Sequence, residues 1–181
     1  MAKLLYRLIG GRKRNKSLAI CPGSFDPVTL GHLDVISRAS GMFEKVIVVI
    51  LKNANKTYSF SPEERAQLLK KTIKDAGLNN VEVDAYDGLL ADYAKKHGAK
   101  IILKGLRAMS DFEYEFQMAL ANKKLYPDIE TVFITTAAEN MYLSSSMVKQ
   151  IASMDGDISG FVPSVIHKDI LERLSKKKGW I

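Results

Sequence analysis

The sequence has only one cysteine and no long hydrophobic run. With Cys21 as the single thiol among 181 residues, the chain can form neither an internal disulfide nor a zinc site built from several cysteines. No apolar stretch approaches the roughly 18 residues needed to span a bilayer, and a charged fraction of 26% is ordinary for a globular protein. These features argue against secreted disulfide-rich, membrane-spanning and disordered classes. They predict a cytoplasmic protein in which Cys21 is a buried apolar residue.

Acidic residues are absent from the first 16 positions. Residues 1–16 carry six lysines and arginines, which is nearly all of the net charge of +7, so residues 17–181 are almost neutral. We therefore expect a basic, flexible N-terminal extension over residues 1–16 and a single domain over residues 17–181. Because the positive charge is confined to the extension, neither a membrane nor a specific nucleic acid is expected as a partner. A non-specific contact of the extension with an anion is the alternative.

The usual phosphate-binding and metal-binding motifs are also absent. Neither G-x-G-x-x-G nor G-x-x-x-x-G-K-[ST] occurs in the chain, which argues against an ordinary dinucleotide-binding protein and against a P-loop protein. H-E-x-x-H and C-x-x-C are missing as well, so no zinc site formed by protein ligands is predicted. A nucleotide site in this chain would have to be built from other residues.

From residue 18 onward, short β-rich runs alternate with helical patterns. The five predicted strands are Leu18–Cys21, Val46–Leu51, Val81–Ala85, Ile101–Lys104 and Thr131–Thr135. This alternation is typical of βαβ units and a parallel sheet, and the unbroken apolar run of Val46–Leu51 predicts a central strand that is covered on both faces. The expected fold is a single α/β domain with a Rossmann-like, doubly wound, five-stranded parallel sheet.

Two helix starts are predicted from capping patterns. Ser61 is followed by proline and then by Glu64, which is the arrangement of a capping box with proline at the first helical position. Ser110 and Glu113 have the same spacing and predict a second capping box. Gly98 follows a run of basic residues and predicts the left-handed end of another helix.

The loop after the first strand contains the residues with the clearest chemical meaning. In an open α/β sheet, ligands bind beyond the carboxyl ends of the strands, and this loop lies there. Gly23 allows close approach of the backbone, Ser24 adds a hydroxyl and an amide, and His32 falls in the first turn of the following helix. Amides, a helix amino end and an imidazole together predict a polyphosphate site. A purely structural hydrogen bond is the alternative role for His32.

Four segments in order resemble a known family. G-S-F-D-P at residues 23–27, followed by the T-x-G-H that ends at His32, resembles the signature of the nucleotidylyltransferase superfamily. The segments at residues 104–115 (K-G-L-R-A…D-F-E-Y-E), 143–149 (L-S-S-S-x-V-K) and 156–163 (G-D…F-V-P) resemble the phosphopantetheine adenylyltransferase family within it. The likeness runs from about residue 18 to about residue 165.

The resemblance implies an activity, a cofactor and partners. It implies transfer of AMP from ATP to 4′-phosphopantetheine, giving dephospho-CoA and pyrophosphate by direct in-line attack without a covalent enzyme intermediate. It also implies Mg²⁺ as cofactor, with no protein ligand assigned to the metal, a homohexameric assembly, and coenzyme A as a feedback inhibitor. Two alternatives are a nucleotidylyltransferase with another phosphate acceptor and a nucleotide-binding module without catalysis.

The resemblance also assigns roles to individual residues. His32 is the expected catalytic residue, as a transition-state stabiliser. The expected ATP-binding residues are Ser24, Phe25, His32, Gly105, Leu106, Arg107, Glu115, Asn140, Met141, Tyr142, Leu143, Ser144, Ser145 and Ser146. The expected phosphopantetheine-binding residues are Ser24, Lys56, Leu90 and Lys104.

The chain departs from the family pattern at two places, and other roles are open for some residues. Lys104 stands where the family has arginine, which replaces a bidentate fork with a point charge. Residues 140–142 lack the tryptophan of some members, so adenine stacking is not predicted there. Glu115 could instead pair with a nearby cation, the serines at 144–146 could cap a helix, and Leu90 could pack in the core. Ordinary surface charge is the alternative for Lys56 and Lys104.

Overall fold

A single parallel sheet of five strands organises the part of the chain that the computed structural model describes, which is residues 17–52 and 57–175. The strand order is β3-β2-β1-β4-β5. The strands are β1 Leu18–Gly23, β2 Lys45–Leu51, β3 Val81–Tyr86, β4 Ile101–Leu106 and β5 Glu130–Thr135. All five predicted strands are confirmed, each slightly longer than expected.

The prediction that Val46–Leu51 is the central strand is wrong. The middle position belongs to β1, which pairs with β2 on one side and with β4 on the other, while β2 lies between β1 and β3. The apolar run of β2 is buried on both faces: Val46 and Val48 belong to one core cluster, and Ile47 and Val49 belong to the other. Helices on both faces are enough to bury such a run, so its composition does not specify the middle of the sheet.

Helices cover both faces of the sheet. Within the described residues they are α1 Leu30–Met42, α2 Pro62–Asp75, α3 Leu90–His97, α4 Met109–Leu125, α5 Ser145–Ser153 and α6 Ser164–Leu174, with a 3₁₀ turn at Ala138–Asn140. The helices α1, α2, α5 and α6 contribute to the core on one face, and α3 contributes to the core on the other. The chain therefore winds in both directions from β1, as predicted for a doubly wound Rossmann-like fold. None of the described helices is both long and apolar enough to cross a membrane.

The predicted helix ends have different outcomes. The hydroxyl of Ser61 accepts from the Glu64 N–H at 3.2 Å, and the Glu64 carboxylate accepts from the Ser61 N–H at 2.7 Å, so the capping box of α2 is confirmed. Gly98 ends α3 with φ at 65°. The second capping box is wrong because α4 begins at Met109, with Ala108 in the cap position. Ser110 therefore lies inside the first turn, where the helical backbone no longer has the extended geometry of a cap.

Candidate active site

A cavity of about 750 Å³ opens at the carboxyl ends of β1 and β4. The order of strands reverses at β1, so this is the position at which a doubly wound sheet binds ligands, and the volume suits a small-molecule site. The predicted site residues that line it are Ser24, Phe25, His32, Lys104, Gly105, Arg107, Glu115, Leu143, Ser144, Ser145 and Ser146. The fold therefore brings together residues that are far apart in the sequence.

The other predicted site residues lie elsewhere or outside the described ranges. Leu106 ends β4, and its carbonyl accepts hydrogen bonds from Thr136. Leu90 packs against the core cluster that contains Tyr93, as its alternative role requires. Asn140, Met141 and Tyr142 follow or close the 3₁₀ turn and are not part of the cavity lining. Lys56 lies outside the described residues, so its role stays a prediction.

The loop after β1 is closely packed around Phe25. This residue is buried and has a positive φ of 49°, and its ring lies over Gly23. A Cβ atom at Gly23 would lie 2.8 Å from Phe25 Cζ, closer than packed carbon atoms approach each other. Glycine is therefore required here for a close approach.

The side chain of Arg65 holds the backbone of the same loop. Its side chain is almost completely buried, and its Nη1 donates to the Ser24 carbonyl at 2.8 Å. The guanidinium also lies over the Tyr58 ring, 4.2 Å from the centroid. The backbone of Ser24 is therefore held by a cation that begins the second turn of α2.

The imidazole of His32 is oriented by the start of α1. Thr29 caps the helix: its hydroxyl accepts from the His32 N–H at 3.3 Å, and its own N–H donates to His32 Nδ1 at 3.0 Å. Because a main-chain N–H can only donate, Nδ1 is an acceptor, and the neutral ring carries its hydrogen on Nε2. The edge contact with Phe25, at 5.1 Å between ring centroids, also holds the ring. His32 thus makes the structural hydrogen bond of its alternative role and still lines the cavity.

Arg107 connects β4 to the start of α5. Its Nη1 donates to the Leu143 carbonyl at 2.6 Å, and its Nε and Nη2 donate to the Asp111 carboxylate at 3.1 and 3.4 Å. The side chain is partly exposed and lines the cavity. These bonds orient the guanidinium, and its predicted contact with ATP phosphates stays a prediction.

Lys104 and Glu115 form an ion pair inside the cavity. Lys104 Nζ lies 3.1 Å from the Glu115 carboxylate, and both side chains are only partly exposed. Glu115 therefore does pair with a nearby cation, as its alternative role requires. Cys21 lies nearby: burial raises the pKa of its thiol to about 12, and the charge of Lys104 offsets only part of that rise. The thiol stays protonated near neutral pH and acts as an apolar residue.

The serine run begins α5. The Ser144 hydroxyl caps the helix by accepting from the Met147 N–H at 3.1 Å, and the Ser145 hydroxyl donates to the Pro27 carbonyl at 2.8 Å. The capping role is thus correct for Ser144, and Ser145 ties the helix to the loop after β1. Because all three serines line the cavity, the amino end of α5 lies at the site, where its amides favour an anion.

Asp26 is a site residue to which the sequence analysis gave no role. Its side chain is 3% exposed, and its carboxylate accepts from the N–H groups of Ser59 and Phe60 at 3.0 to 3.2 Å. Lys149 Nζ donates to the same carboxylate at 2.8 Å. Asp26 and Lys149 both belong to motifs that carry the family resemblance. No local sequence pattern indicates that two positions so far apart in the chain lie in contact.

The cavity has a balanced set of charges. In the described part of the chain, every lysine or arginine that lines the cavity is paired with a carboxylate that also lines it: Lys104 with Glu115, Arg107 with Asp111, and Lys149 with Asp26. No group of three or more His, Cys, Asp and Glu side chains among the described residues could hold a metal ion. The site therefore offers donors and paired cations, which suits a ligand rich in phosphate.

Comparison with known proteins agrees with this geometry. Residues 20–151 match the model of the cytidylyltransferase-like family, which gives the class of protein to which the fold and the site correspond. Phosphopantetheine adenylyltransferase of Clostridium tetani is 55% identical over 161 residues, covering 89% of this chain and 99% of the relative. The enzyme of that name from Caldanaerobacter subterraneus is 54% identical over 88% of this chain and 98% of the relative. The chain belongs to the phosphopantetheine adenylyltransferase family, as the resemblance predicted.

Solved structures show the same fold at low identity. Nicotinic acid mononucleotide adenylyltransferase of Plasmodium falciparum, complexed with NaAD, aligns with a TM-score of 0.66 at 15% identity, over 87% of this chain and 95% of that one. A putative nicotinate-nucleotide adenylyltransferase of Vibrio parahaemolyticus aligns with a TM-score of 0.62 at 22% identity, over 88% of this chain and 98% of that one. These similarities support the fold only.

Proposed function

We propose that this protein transfers AMP from ATP to the phosphate of 4′-phosphopantetheine and releases dephospho-CoA and pyrophosphate. The observation that carries the proposal is the 55% identity to a phosphopantetheine adenylyltransferase over 89% of this chain. Because the likeness covers almost the whole relative, it favours this acceptor over another phosphate acceptor and over a module without catalysis.

The reaction requires positioning more than acid–base chemistry. A phosphate oxygen of the acceptor attacks the α-phosphorus of ATP, a new P–O bond forms, and the bond from the α-phosphorus to the bridging oxygen of pyrophosphate breaks. The attacking phosphate is already an anion, so no general base is needed. The protein therefore has to align two anions and stabilise the charge that develops on the leaving group.

His32 is the proposed transition-state stabiliser. Its Nδ1 accepts from the Thr29 N–H, so its Nε2 carries the hydrogen and serves as a donor to α- and β-phosphate oxygens. A donor held in place before the reaction stabilises developing charge without reorganisation. The contact with Phe25 contributes to this preorganisation.

The proposed nucleotide site lies between β4 and α5. The amino end of α5, with Ser144, Ser145 and Ser146, supplies amides and hydroxyls to phosphate oxygens, and Arg107 adds a charge held by Asp111 and by the Leu143 carbonyl. The other ATP contacts proposed are Ser24, Phe25, Gly105, Glu115 and Leu143 in the cavity lining, and Leu106, Asn140, Met141 and Tyr142 outside it.

The proposed acceptor site includes Ser24 and Lys104, with Lys56 and Leu90. Lys104 is held by Glu115 at 3.1 Å, so the acceptor phosphate must replace or share that carboxylate. The exchange of one oxyanion for another keeps the ammonium group paired throughout binding.

Mg²⁺ is proposed to enter with the nucleotide. The described residues provide no group of carboxylates suited to hold a metal, and the cavity carboxylates are engaged with cations. Mg²⁺ commonly bridges nucleotide phosphates and keeps several waters, so MgATP is the expected form of the substrate. No protein ligand to the metal is proposed.

We propose a homohexamer with α4 in its contacts. The large apolar side chains exposed on this helix lie on two sides of it, with Phe112, Phe116 and Leu120 on one side and Tyr114, Met118 and Leu125 on the other. A patch of this kind usually marks a protein–protein contact. Coenzyme A is the proposed feedback inhibitor, because it shares the pantetheine arm and the adenylate group of the product and would compete for the same cavity.

The cellular setting and the N-terminal extension are further proposals. A reducing cytoplasm suits a chain whose single cysteine is buried. Residues 1–16 lie outside the described residues, and we expect them to be dispensable for catalysis. Deletion of residues 1–16 should leave turnover intact, whereas a nucleic-acid-binding role would make affinity and salt dependence fall with the deletion.

The proposed reaction is tested by mass-spectrometric detection of dephospho-CoA. The full chain is incubated with ATP, Mg²⁺ and 4′-phosphopantetheine, and in parallel with glycerol 3-phosphate or nicotinamide mononucleotide. Dephospho-CoA with pyrophosphate in the first reaction supports the proposal. Pyrophosphate release only with another acceptor would retain the nucleotidylyltransferase class and reject this substrate.

A further inference from the structure

One buried carboxylate joins three walls of the cavity. Asp26 belongs to the loop after β1, its carboxylate accepts from the N–H groups of Ser59 and Phe60 just before α2, and Lys149 Nζ reaches it from α5 at 2.8 Å. The carboxylate is 4% exposed and the lysine side chain 26% exposed. The carboxylates of the other two ion pairs that line the cavity are more exposed, at 20% for Glu115 and 31% for Asp111.

These three walls carry different parts of the proposed reaction. The loop after β1 leads to His32, the amino end of α5 carries the serine run, and the segment before α2 contributes Thr57 and Tyr58 to the lining. Neutral hydrogen bonds reinforce the same connections, since Ser145 donates to the Pro27 carbonyl. The ion pair adds a charged bond at the point where all three walls meet.

We infer that Asp26 and Lys149 are a positioning pair that sets the distance between the walls that hold the two substrates. The inference rests on the proposed function and concerns alignment, not direct contact with substrate. In-line transfer needs the attacking oxygen about 3–3.5 Å from phosphorus, and a displacement of about 1 Å costs on the order of a hundredfold in rate. Neither side chain of the pair is a proposed substrate contact, so loss of the pair acts through alignment, on kcat more than on either KM.

The kinetic test uses Lys149→Met, Asp26→Asn and the double variant. We expect each single variant to lower kcat by about tenfold or more, with the KM values for ATP and for 4′-phosphopantetheine changing by less than about threefold. The double variant should be no worse than the worse single variant, because groups that act as one unit are not additive. Lys149→Arg keeps the charge and should restore most of kcat.

A matched control comes from an ion pair remote from the cavity. Lys71 Nζ and the Asp169 carboxylate are also 2.8 Å apart and join α2 to α6 on the surface. Lys71→Met should leave kcat unchanged. An equal loss in this control, additive effects in the double variant, or a loss of kcat that only follows the folded fraction in thermal unfolding would overturn the inference.

A second readout does not depend on activity. Hydrogen–deuterium exchange of the peptide that contains Ser59 and Phe60, followed by mass spectrometry, should be faster in Lys149→Met and in Asp26→Asn than in the wild type. Unchanged exchange in both variants would overturn the pairing while leaving the proposed function intact. If the wild type forms no dephospho-CoA, but exchange is still faster in the two variants than in the wild type, the proposed function is overturned and the anchoring of the walls stands.

Discussion

The main-chain N–H of Thr29 donates a hydrogen bond to Nδ1 of His32, 3.0 Å away. The same threonine hydroxyl accepts from the His32 N–H, so the histidine occupies the third position of a capping box. One side chain therefore stabilises the start of α1 through Nδ1 and, in the proposed mechanism, donates its Nε2 hydrogen to phosphate oxygens. These functions can be separated by substitution, because glutamine is also a suitable partner in a capping box.

Substitutions of His32 should separate its effect on the catalytic rate from its effect on the stability of the fold. His32→Ala should lower kcat for dephospho-CoA formation by more than about a hundredfold, as expected for loss of a transition-state donor, and should cost about 1 kcal/mol of stability through the lost cap. His32→Gln should recover the stability and not the rate. Steady-state kinetics and thermal unfolding measure the two effects, and recovery of the rate in His32→Gln would contradict the proposed role.

Replacing Lys104 should act on the acceptor. Lys104→Met removes the cation proposed for the acceptor phosphate, and the KM for 4′-phosphopantetheine should rise about tenfold or more, as for a lost charge-assisted bond. The KM for ATP should change much less. Lys104→Arg, which restores the residue of the family pattern, should keep the KM for the acceptor at or below the wild-type value. A rise confined to the KM for ATP would assign Lys104 to the nucleotide.

Gly23→Ala should disturb both the fold and the site. The added Cβ would lie 2.8 Å from Phe25 Cζ, and because this ring is buried and contacts His32, it cannot move without disturbing the imidazole. We expect a loss of about 1–3 kcal/mol together with a lower kcat. Gly41→Ala is the control, since a Cβ there meets nothing within 4 Å. Urea unfolding of the two variants should separate them, and equal stabilities would refute the packing argument.

Cys21 should make the stability depend on alkaline pH. Burial raises the pKa of its thiol from 9.0 to about 12, so the native state holds the proton more tightly than the unfolded state. The free energy of unfolding should therefore fall as the pH rises above about 9, by up to about 1.4 kcal/mol per pH unit from this group. Denaturant unfolding near pH 8 and near pH 10 should show a smaller fall in Cys21→Ala. An identical fall in both proteins would mean that the thiol does not titrate in this way.

The exposed apolar side chains of α4 should control assembly. Leu120→Glu places a charge on the side of α4 that carries Phe112 and Phe116 and should reduce the mass measured by light scattering after size-exclusion chromatography. Met42→Glu is a matched control, because Met42 and Leu120 are both 55% exposed and Met42 lies at the end of α1. A monomeric wild type, or a mass that Leu120→Glu does not change, would contradict the proposed contact.

Local sequence patterns predicted the elements of the fold more successfully than their arrangement. The strands could be predicted because each is a short β-rich run between helical patterns. The capping box at Ser61 could be predicted because Ser61, Pro62 and Glu64 lie within four residues. The position of β2 within the sheet was not predicted, because burial on both faces shows that layers lie above and below a strand but does not show which strands lie beside it. The prediction of a cap at Ser110 was wrong because the spacing of Ser110 and Glu113 suits a cap, but the helix begins two residues earlier than such a cap requires.

In the candidate site as well, groups of residues close in sequence were predicted better than contacts between distant segments. The loop after β1 places Ser24 and His32 close in sequence, so their grouping was predicted. The partners of the site residues were not, because the bonds from Arg107 to the Leu143 carbonyl, and from Lys149 to Asp26, join segments that only the folded chain brings together. Pairing with a nearby cation was one of two predicted roles for Glu115, but the sequence did not indicate Lys104 as that cation.

The matched charges of the cavity also affect how a substrate arrives. Each lysine or arginine that lines the described cavity has its carboxylate within 3.1 Å, so the charges largely cancel at distances longer than the pairs themselves. A cavity of this kind produces little long-range field and gives little electrostatic steering to a diffusing polyanion. The rate of encounter should then depend only weakly on ionic strength, and selection of the proposed phosphate-rich ligand should take place after contact.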